Sequence, residues 1–393
     1  MNTARAYAYA RQAGIPLRTP GCNITGATYT TAAADDAPWY DPNVPESARV
    51  FGFAGAALNG LDRVPHQRAM AALPNGGGRL AGLATVHRQM TAEVIALAAD
   101  DAALSYAIAW LSRAAADPPC SPSCRGQHMQ LAAHCLDAAR PDENPLRTLY
   151  EVGLLEGPVE LSRFKAGQCG IGARLELTLA AGLPWLYRPP TPVQTVTLAT
   201  QPTVTFNPNP TAVCSTPGTC MDDPACLPPQ IPPAPRPAND PCWLGGSTFT
   251  ARRTVVTLPA TALPTWLEAV PIIRVQSGTA PLKKVWIRLY DPALAGCGDP
   301  LDPCTRCAEW SAMYLAANTI LDIDVRSRTA MAVCGGDITT AFEPVLYGPG
   351  GDPPGWPTVG CSPGVCVEIA AESAGMAANA SVSVSFAARQ DAA

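Results

Sequence analysis

The residues best suited to chemistry are thiols and imidazoles gathered in one short stretch. Cys120-x3-Cys124-x3-His128 is followed by His134-Cys135. Soft ligands at this density can close a tetrahedral zinc site through Cys120, Cys124, His128 and Cys135, although the spacing matches no standard finger pattern. The preferred alternative is a disulfide that staples the stretch and leaves its histidines solvated. A second group, Cys304-x2-Cys307 with Cys297 and Cys334 near it in sequence, fits a redox pair, half a zinc knuckle or two structural disulfides. A thioredoxin-like pair would open a helix after a strand. Here it lies among Pro-containing turns in a strand-rich region, which favours a structural role.

A catalytic constellation is hard to assemble. The only histidines are His66, His87, His128 and His134, and no GxSxG, HExxH, phosphate-loop or dinucleotide fingerprint occurs. Asp322 and Asp324 have the look of paired carboxylates, but two residues apart on an alternating strand they read as its solvent side. Gly76-Gly77-Gly78 lacks the flanking strand, helix and lysine of a phosphate loop and reads as a turn. The expectation is therefore a chain with no catalytic residues and no bound cofactor.

The element that must position the rest is Leu83–Ala116. Val86, Met90 and Val94 lie on one side of a period-two pattern, with Thr85, Gln89, Thr91 and Glu93 on the other. At Asp100-Asp101 the period changes, and Leu104, Ile108, Leu111 and Ala115 then share one helical face. Either aspartate suits the N-cap, Arg113 suits the last turn and Pro118-Pro119 stop the helix. A strand running into a helix is predicted. Before it, Asn23–Thr30 and Val50–Phe53 read as strand pieces, and Arg68–Leu73 reads as a short helix ending at Pro74.

After the Cys120–Cys135 insertion, Tyr150, Val152 and Leu154 alternate up to a break at Gly157-Pro158. Ile171, Ala173, Leu175, Leu177 and Leu179 then alternate with Gly172, Arg174, Glu176 and Thr178, as a half-buried antiparallel strand does. Residues 1–190 form a first domain with an insertion at 117–145. Residues 191–246 are a Pro- and Cys-rich linker or insertion. Residues 247–393 form a second domain of many short strands, among them Val285–Leu289, Ile320–Val325, Thr329–Val333 and Val382–Phe386, which suggests an antiparallel β-sandwich.

Composition narrows the class further. The 393 residues include 42 Pro and 32 Gly, which favours turns and short strands over a helical protein. A charged fraction of 15% and a net charge of −5, without a concentrated basic patch, argue against nucleic-acid or anionic-membrane partners. The start MNTARAYAYARQAG lacks the apolar core of a signal peptide, and Val94–Leu111 is interrupted by two aspartates, so synthesis in a cytoplasm without membrane insertion is expected. Fifteen cysteines point the other way, to an oxidising environment. A protein made in a cytoplasm and used outside the cell, as in virus particles released by lysis, reconciles the two.

The order of these elements resembles the distal tail proteins of long-tailed bacteriophages. Leu183-Pro184-Trp185-Leu186-Tyr187 resembles the aromatic, Pro-containing corner that ends the ring domain in that family. The minor tail proteins of actinobacterial phages are more similar still, through Arg147–Val159, Cys169–Tyr187, Leu301-Asp302-Pro303-Cys304-x2-Cys307, Leu346-Tyr347-Gly348 and Trp356-Pro357. The likeness covers residues 80 to 190 best and 250 to 360 less specifically. It implies a mainly β (α+β) fold: an N-terminal split β-barrel with one main helix, and a C-terminal galectin-like β-sandwich. It also implies a hexameric ring in the virion tail tip or baseplate, between tail tube and hub, with the tape measure protein and the host cell surface as further contacts. The alternative is a receptor- or carbohydrate-binding adhesin of the tail tip, with Trp266, Trp286, Trp310 and Trp356 as stacking platforms. A cell-wall hydrolase is the least favoured reading.

Overall fold

A computed structural model describes residues 32–33, 37–62, 64–68, 70–72, 78–80, 84–116, 127–132, 146–166, 170–206, 248–259, 267–291, 297, 301, 306–335, 346–348, 354–359 and 364–390. Among them the chain is mainly β, with antiparallel sheets and a single α-helix. It divides into two compact units, Met1–Arg188 with Gln390–Ala393, and Pro189–Arg389.

In the first unit, β1 (Val50–Asn59) pairs with β6 (Arg88–Ala98). Between them lie β2 (His66–Gln67), β3 (Met70–Ala72), β4 (Gly78–Leu80) and β5 (Ala84–Thr85), joined as β2 with β5 and β3 with β4. The helix expected over Arg68–Leu73 is thus replaced by a strand. Six residues form too few internal hydrogen bonds to offset helix nucleation, and Met70–Ala72 instead pairs with Gly78–Leu80. Asn23–Thr30 lies outside the described residues.

The change of period at Asp100 is borne out. β6 ends at Ala98 and α1 spans Asp101–Ala115, with the Asp100 carboxylate accepting the Ala103 N–H at 3.0 Å. Arg113 sits in the last turn, where it complements the helix dipole. The helix buries Ala103, Leu104, Ala107 and Leu111 against Val94, Ala96 and Ala98 of β6 and Phe53 of β1, with Ile108 and Ala115 half-buried at its flank. Burying a Leu side chain stabilises by about 1.5–3 kcal/mol, so Leu104 and Leu111 alone fix the docking face. Trp39, Phe53 and Trp110 close the cluster with ring centroids 5.4 to 6.0 Å apart. The strict alternation expected along β6 holds only at its start. Ile95 and Leu97 are also buried, because Phe51, Ala54, Phe164 and Ala166 cover the opposite face.

The remaining strands are β7 (Gln127–Ala132), β8 (Leu146–Lys165) and β9 (Ile171–Tyr187), giving the order β7–β8–β9–β6–β1. No pairing among the described residues closes this sheet on itself. β7 occupies the middle of the stretch read as an insertion. Its Met129 and Leu131 pack on Leu149 and Leu186 while His128 and Gln130 stay exposed. Gly157-Pro158 does not end a strand as expected. β8 runs through it on a register shift between Glu156 and Val159, a bulge where a proline without an N–H is tolerated. Gly157 is required there, since φ is +103° and a Cβ would lie 2.6 Å from the Glu176 carbonyl oxygen. In β9, Ala173, Leu175 and Leu177 are buried and pack on α1, as the alternation predicts. Buried Arg88 ties the unit together by donating from Nε to the Pro184 carbonyl at 2.7 Å and from Nη1 to that of Gly60 at 3.0 Å.

The second unit holds β10 (Thr191–Thr197), β11 (Thr203–Phe206), β12 (Phe249–Pro259), β13 (Glu268–Gln276), β14 (Leu282–Tyr290), β15 (Arg306–Leu315), β16 (Thr319–Asp324), β17 (Thr329–Cys334), β18 (Gly364–Glu372) and β19 (Ser381–Gln390). One five-stranded sheet has the order β11–β12–β18–β14–β15. A second ladder runs β10–β19–β13–β16–β17. β10 and β11 fall within residues 191–246, read as a linker or insertion, yet pair with β19 and β12 of this unit.

Candidate assembly surface and a buried charge network

β8 changes character along its length. From Leu146 to Val152 it is paired on both sides, by β7 and β9, and Leu149, Tyr150 and Val152 are buried. From Gly153 to Lys165 only β9 pairs with it among the described residues. This length, roughly 40 Å of extended chain, exposes Leu155 by 59%, Val159 by 47% and Leu161 by 48%. Register shifts fall between Leu154 and Glu156, Glu156 and Val159, and Glu160 and Ser162. Bulges and a proline stop an edge from templating a continuous added strand. The exposed apolar side chains remain, so this edge is built for side-chain packing rather than for a long backbone ladder. Near its end Arg163 donates to Asp101 at 2.6 Å and to Glu160 at 2.8 and 3.0 Å, anchoring the strand to the start of α1. The Arg163 hydrogen bond holds the Glu160 carboxyl below the usual carboxylate range.

The five-stranded sheet shows the inverse arrangement. Arg288 of β14, Glu309 of β15 and Glu368 of β18 are side by side in register and buried. Arg288 Nε donates to Glu309 Oε2 at 2.6 Å, and Arg306 Nη1 reaches the same oxygen at 2.7 Å. Arg253 Nε donates to Glu368 Oε1 at 2.6 Å, and the Tyr290 hydroxyl to Glu368 Oε2 at 2.9 Å. The Arg288 guanidinium lies 4.8 Å from the Phe206 ring centroid and 5.2 Å from that of Trp286. Burial, and next the Glu368 charge, push the Tyr290 phenol well above its ordinary range. Each carboxylate is engaged by arginine, an arrangement that holds charge rather than moving protons.

The residues singled out in the sequence are dispersed. Cys120, Cys124, His134 and Cys135 lie outside the described residues. His128 is exposed on β7 with its ring edge-on to Tyr150 at 4.5 Å. Cys297 is bonded to Cys366, a partner absent from the expected set because only the folded sheet brings together residues 69 apart. Cys304 lies outside the described residues, Cys307 is exposed on β15, and the Cys334 sulfur is 3.3 Å from the Thr319 hydroxyl. Asp322 takes a two-pronged contact from Arg274 at 2.6 and 3.0 Å, and Asp324 pairs with Arg326 at 2.7 Å. Trp286 and Trp310 are buried, the latter donating to the Gly355 carbonyl at 3.0 Å, so neither is a stacking platform. No helix among the described residues is long and apolar enough to cross a membrane.

The charge network went unread in the sequence. Its signal was a single charge inside each of three otherwise apolar runs: Val-Trp-Ile-Arg288-Leu-Tyr, Ala-Glu309-Trp and Val-Cys-Val-Glu368-Ile-Ala. The apolar edge of β8 had no such signal, because exposure depends on which strand lies alongside.

No family model matches the chain, and no curated protein matches it either. Among solved structures it is similar to the Dit protein of phage SPP1, described as a paradigm of the hub adsorption apparatus in phages infecting Gram-positive hosts. That alignment has 11% identity and a TM-score of 0.36, covering 86% of this chain and 93% of the other. It is also similar to a chain of the phage p2 baseplate in its activated conformation with Sr, at 10% identity and a TM-score of 0.42, covering 86% of this chain and 91% of the other. At these scores the likeness carries no functional argument.

Proposed function

We propose that this chain is a structural subunit of a bacteriophage tail tip: a distal tail ring protein that joins the tail tube to the tail-tip hub. The observation that supports this reading is the outer edge of β8, where Leu155, Val159 and Leu161 are exposed along one edge strand. An apolar edge left in water is an aggregation hazard, and a neighbouring copy of the same chain removes it. A heterologous contact repeated around an axis closes a ring. On this reading the first unit is the split-barrel ring domain and the second a galectin-like sandwich. Tube, hub and tape measure proteins are the neighbours, and the virion tail is the location. The Cys120–Cys135 stretch is then a disulfide-stapled insertion rather than a zinc site.

Light scattering coupled to size exclusion, with micrographs of the purified full chain, tests the reading. Ring-shaped oligomers are expected, and a Leu155→Ser/Val159→Ser/Leu161→Ser variant should elute as a monomer. A wild-type chain that stays monomeric at high concentration, without affinity for tube or hub protein, would overturn the proposal.

A further inference from the structure

A head-to-tail contact repeated around an axis needs two unlike surfaces on every copy. The distal edge of β8 is one. Elsewhere in the described part of the first unit, Leu146 apart, the large apolar side chains most in water are Met70 of β3 and Leu80 of β4, 68% and 56% exposed. They lie directly across from each other in the β3–β4 pair, so they share one face of it. We propose, resting on the ring reading above, that the β3–β4 hairpin of one copy packs Met70 and Leu80 against Leu155, Val159 and Leu161 of the next copy, with Arg68 of the hairpin meeting Glu156 of the edge.

Three features point to this pairing. First, the hairpin lacks support of its own. β3 and β4 pair only with each other among the described residues, and β2 and β5 do the same. A two-stranded ribbon alone in water is marginal, and an apolar pair on it gains stability when something covers it. Second, the two surfaces lie on opposite sides of the sheet. In the order β8–β9–β6–β1 the open edge belongs to β8, while the hairpin is carried by β1 and β6, with β1 three strand spacings away, about 14 Å. The hairpin also leaves the sheet beyond Asn59 and Arg88, in line with Val152 of β8, whereas the open edge runs from there the other way to Lys165. Opposite sides are what a head-to-tail contact requires, and they set a copy's hairpin away from its own β8 edge. Third, the charges match. Arg68, two residues before Met70, and Glu156, next to Leu155, are both exposed and make no ion pair among the described residues. Copies with a net charge of −5 repel one another at long range, so a local pair of opposite sign selects this approach over others.

Sedimentation velocity of the full chain over a range of concentrations tests the pairing, with circular dichroism as the check on folding. A Met70→Ser/Leu80→Ser variant should sediment as a monomer, as should the Leu155→Ser/Val159→Ser/Leu161→Ser variant. Mixed at high concentration, the two should give a one-to-one dimer and nothing larger, because only one sound hairpin and one sound edge can meet. Charge reversal gives a second route that leaves the apolar contacts in place. Arg68→Glu and Glu156→Arg should each raise the concentration needed for half-assembly by about tenfold or more, and the two reversals combined in one chain should restore it. A hairpin variant that still forms wild-type rings, or reversals that do not rescue each other, would overturn the pairing while leaving the ring reading in place. A wild-type chain that never assembles removes the ring reading and the pairing with it.

Discussion

The distal half of β8 in the first unit and the five-stranded sheet in the second break the usual sorting of side chains in opposite senses. One leaves Leu155, Val159 and Leu161 in water, and the other buries Arg288, Glu309 and Glu368. The buried charges find their partners inside their own unit: Glu309 holds Arg288 and Arg306, and Glu368 holds Arg253 and Tyr290. The exposed leucines and valine find no such cover among the described residues. The buried network is completed within its own unit, whereas the proposal assigns the cover of the β8 edge to a neighbouring copy of the chain.

The sharpest way to break that contrast is to remove one partner from the buried network. Glu309→Ala removes the close carboxylate contact of Arg288, with Glu368 Oε2 3.8 Å away, and takes the partner of Arg306 as well. Breaking a buried pair this way costs about 3–5 kcal/mol, because an uncompensated charge stays inside. Denaturant unfolding of the full chain should show it. A joint Arg288→Met/Glu309→Leu change should recover most of the loss, since the one charge it leaves without this carboxylate, Arg306, is partly exposed to water. A single substitution costing under about 1 kcal/mol would mean the network is open to water.

Next in size is an alkaline effect that belongs to the same network. The folded Tyr290 phenol titrates above its unfolded value of 10.0, from burial and then the nearby Glu368 charge. Up to about that pH both states keep the proton. Above it the unfolded chain loses its proton first, so stability falls as pH rises toward the higher folded value, by at most about 1.4 kcal/mol per pH unit. Tyr290→Phe should flatten this part of the stability–pH curve. An unchanged slope would place the alkaline loss on other groups.

How much of this was legible beforehand follows from the range of the forces. The Asp100 cap, α1 and the alternation of β9 rest on neighbours within a few residues, and all are found where the pattern puts them. Arg88 shares the parity of Met90 and Val94 on β6, yet its burial depends on the carbonyls of Pro184 and Gly60, which only the fold supplies. The passage of β8 through Pro158 was unreadable for a similar reason. A bulge forms where the partner strand lets two residues oppose one, and β9 lies downstream in sequence. The Cys297–Cys366 bond likewise needed the sheet to be laid out first.

A smaller effect is expected from the exposed pair Arg274–Asp322. It has the same fork geometry as a buried pair, but its side chains are 54% and 34% exposed. Solvent screens such a contact to about 0–1 kcal/mol. Arg274→Ala should therefore shift the unfolding midpoint slightly, and less at high salt. A loss comparable with that of Glu309→Ala would show that geometry, rather than burial, sets the strength of ion pairs in this unit.

The smallest effect on stability is expected at the other end of the comparison. Leu155 and Leu161 each fall at a register shift of β8, where the extra residue lies outside the regular ladder with β9. Removing their apolar atoms, with those of Val159, takes little from the core, because about half of this surface is already in water. The triple Ser variant should thus unfold within about 0.5 kcal/mol of the wild type when both are measured as dilute monomers. Its oligomerisation should be lost all the same. That pairing of outcomes is what separates an assembly edge from a strand whose neighbours merely happen to be polar. If unfolding and assembly fall together, the distal half of β8 is part of the first unit's own core, and the contrast between the two sheets collapses.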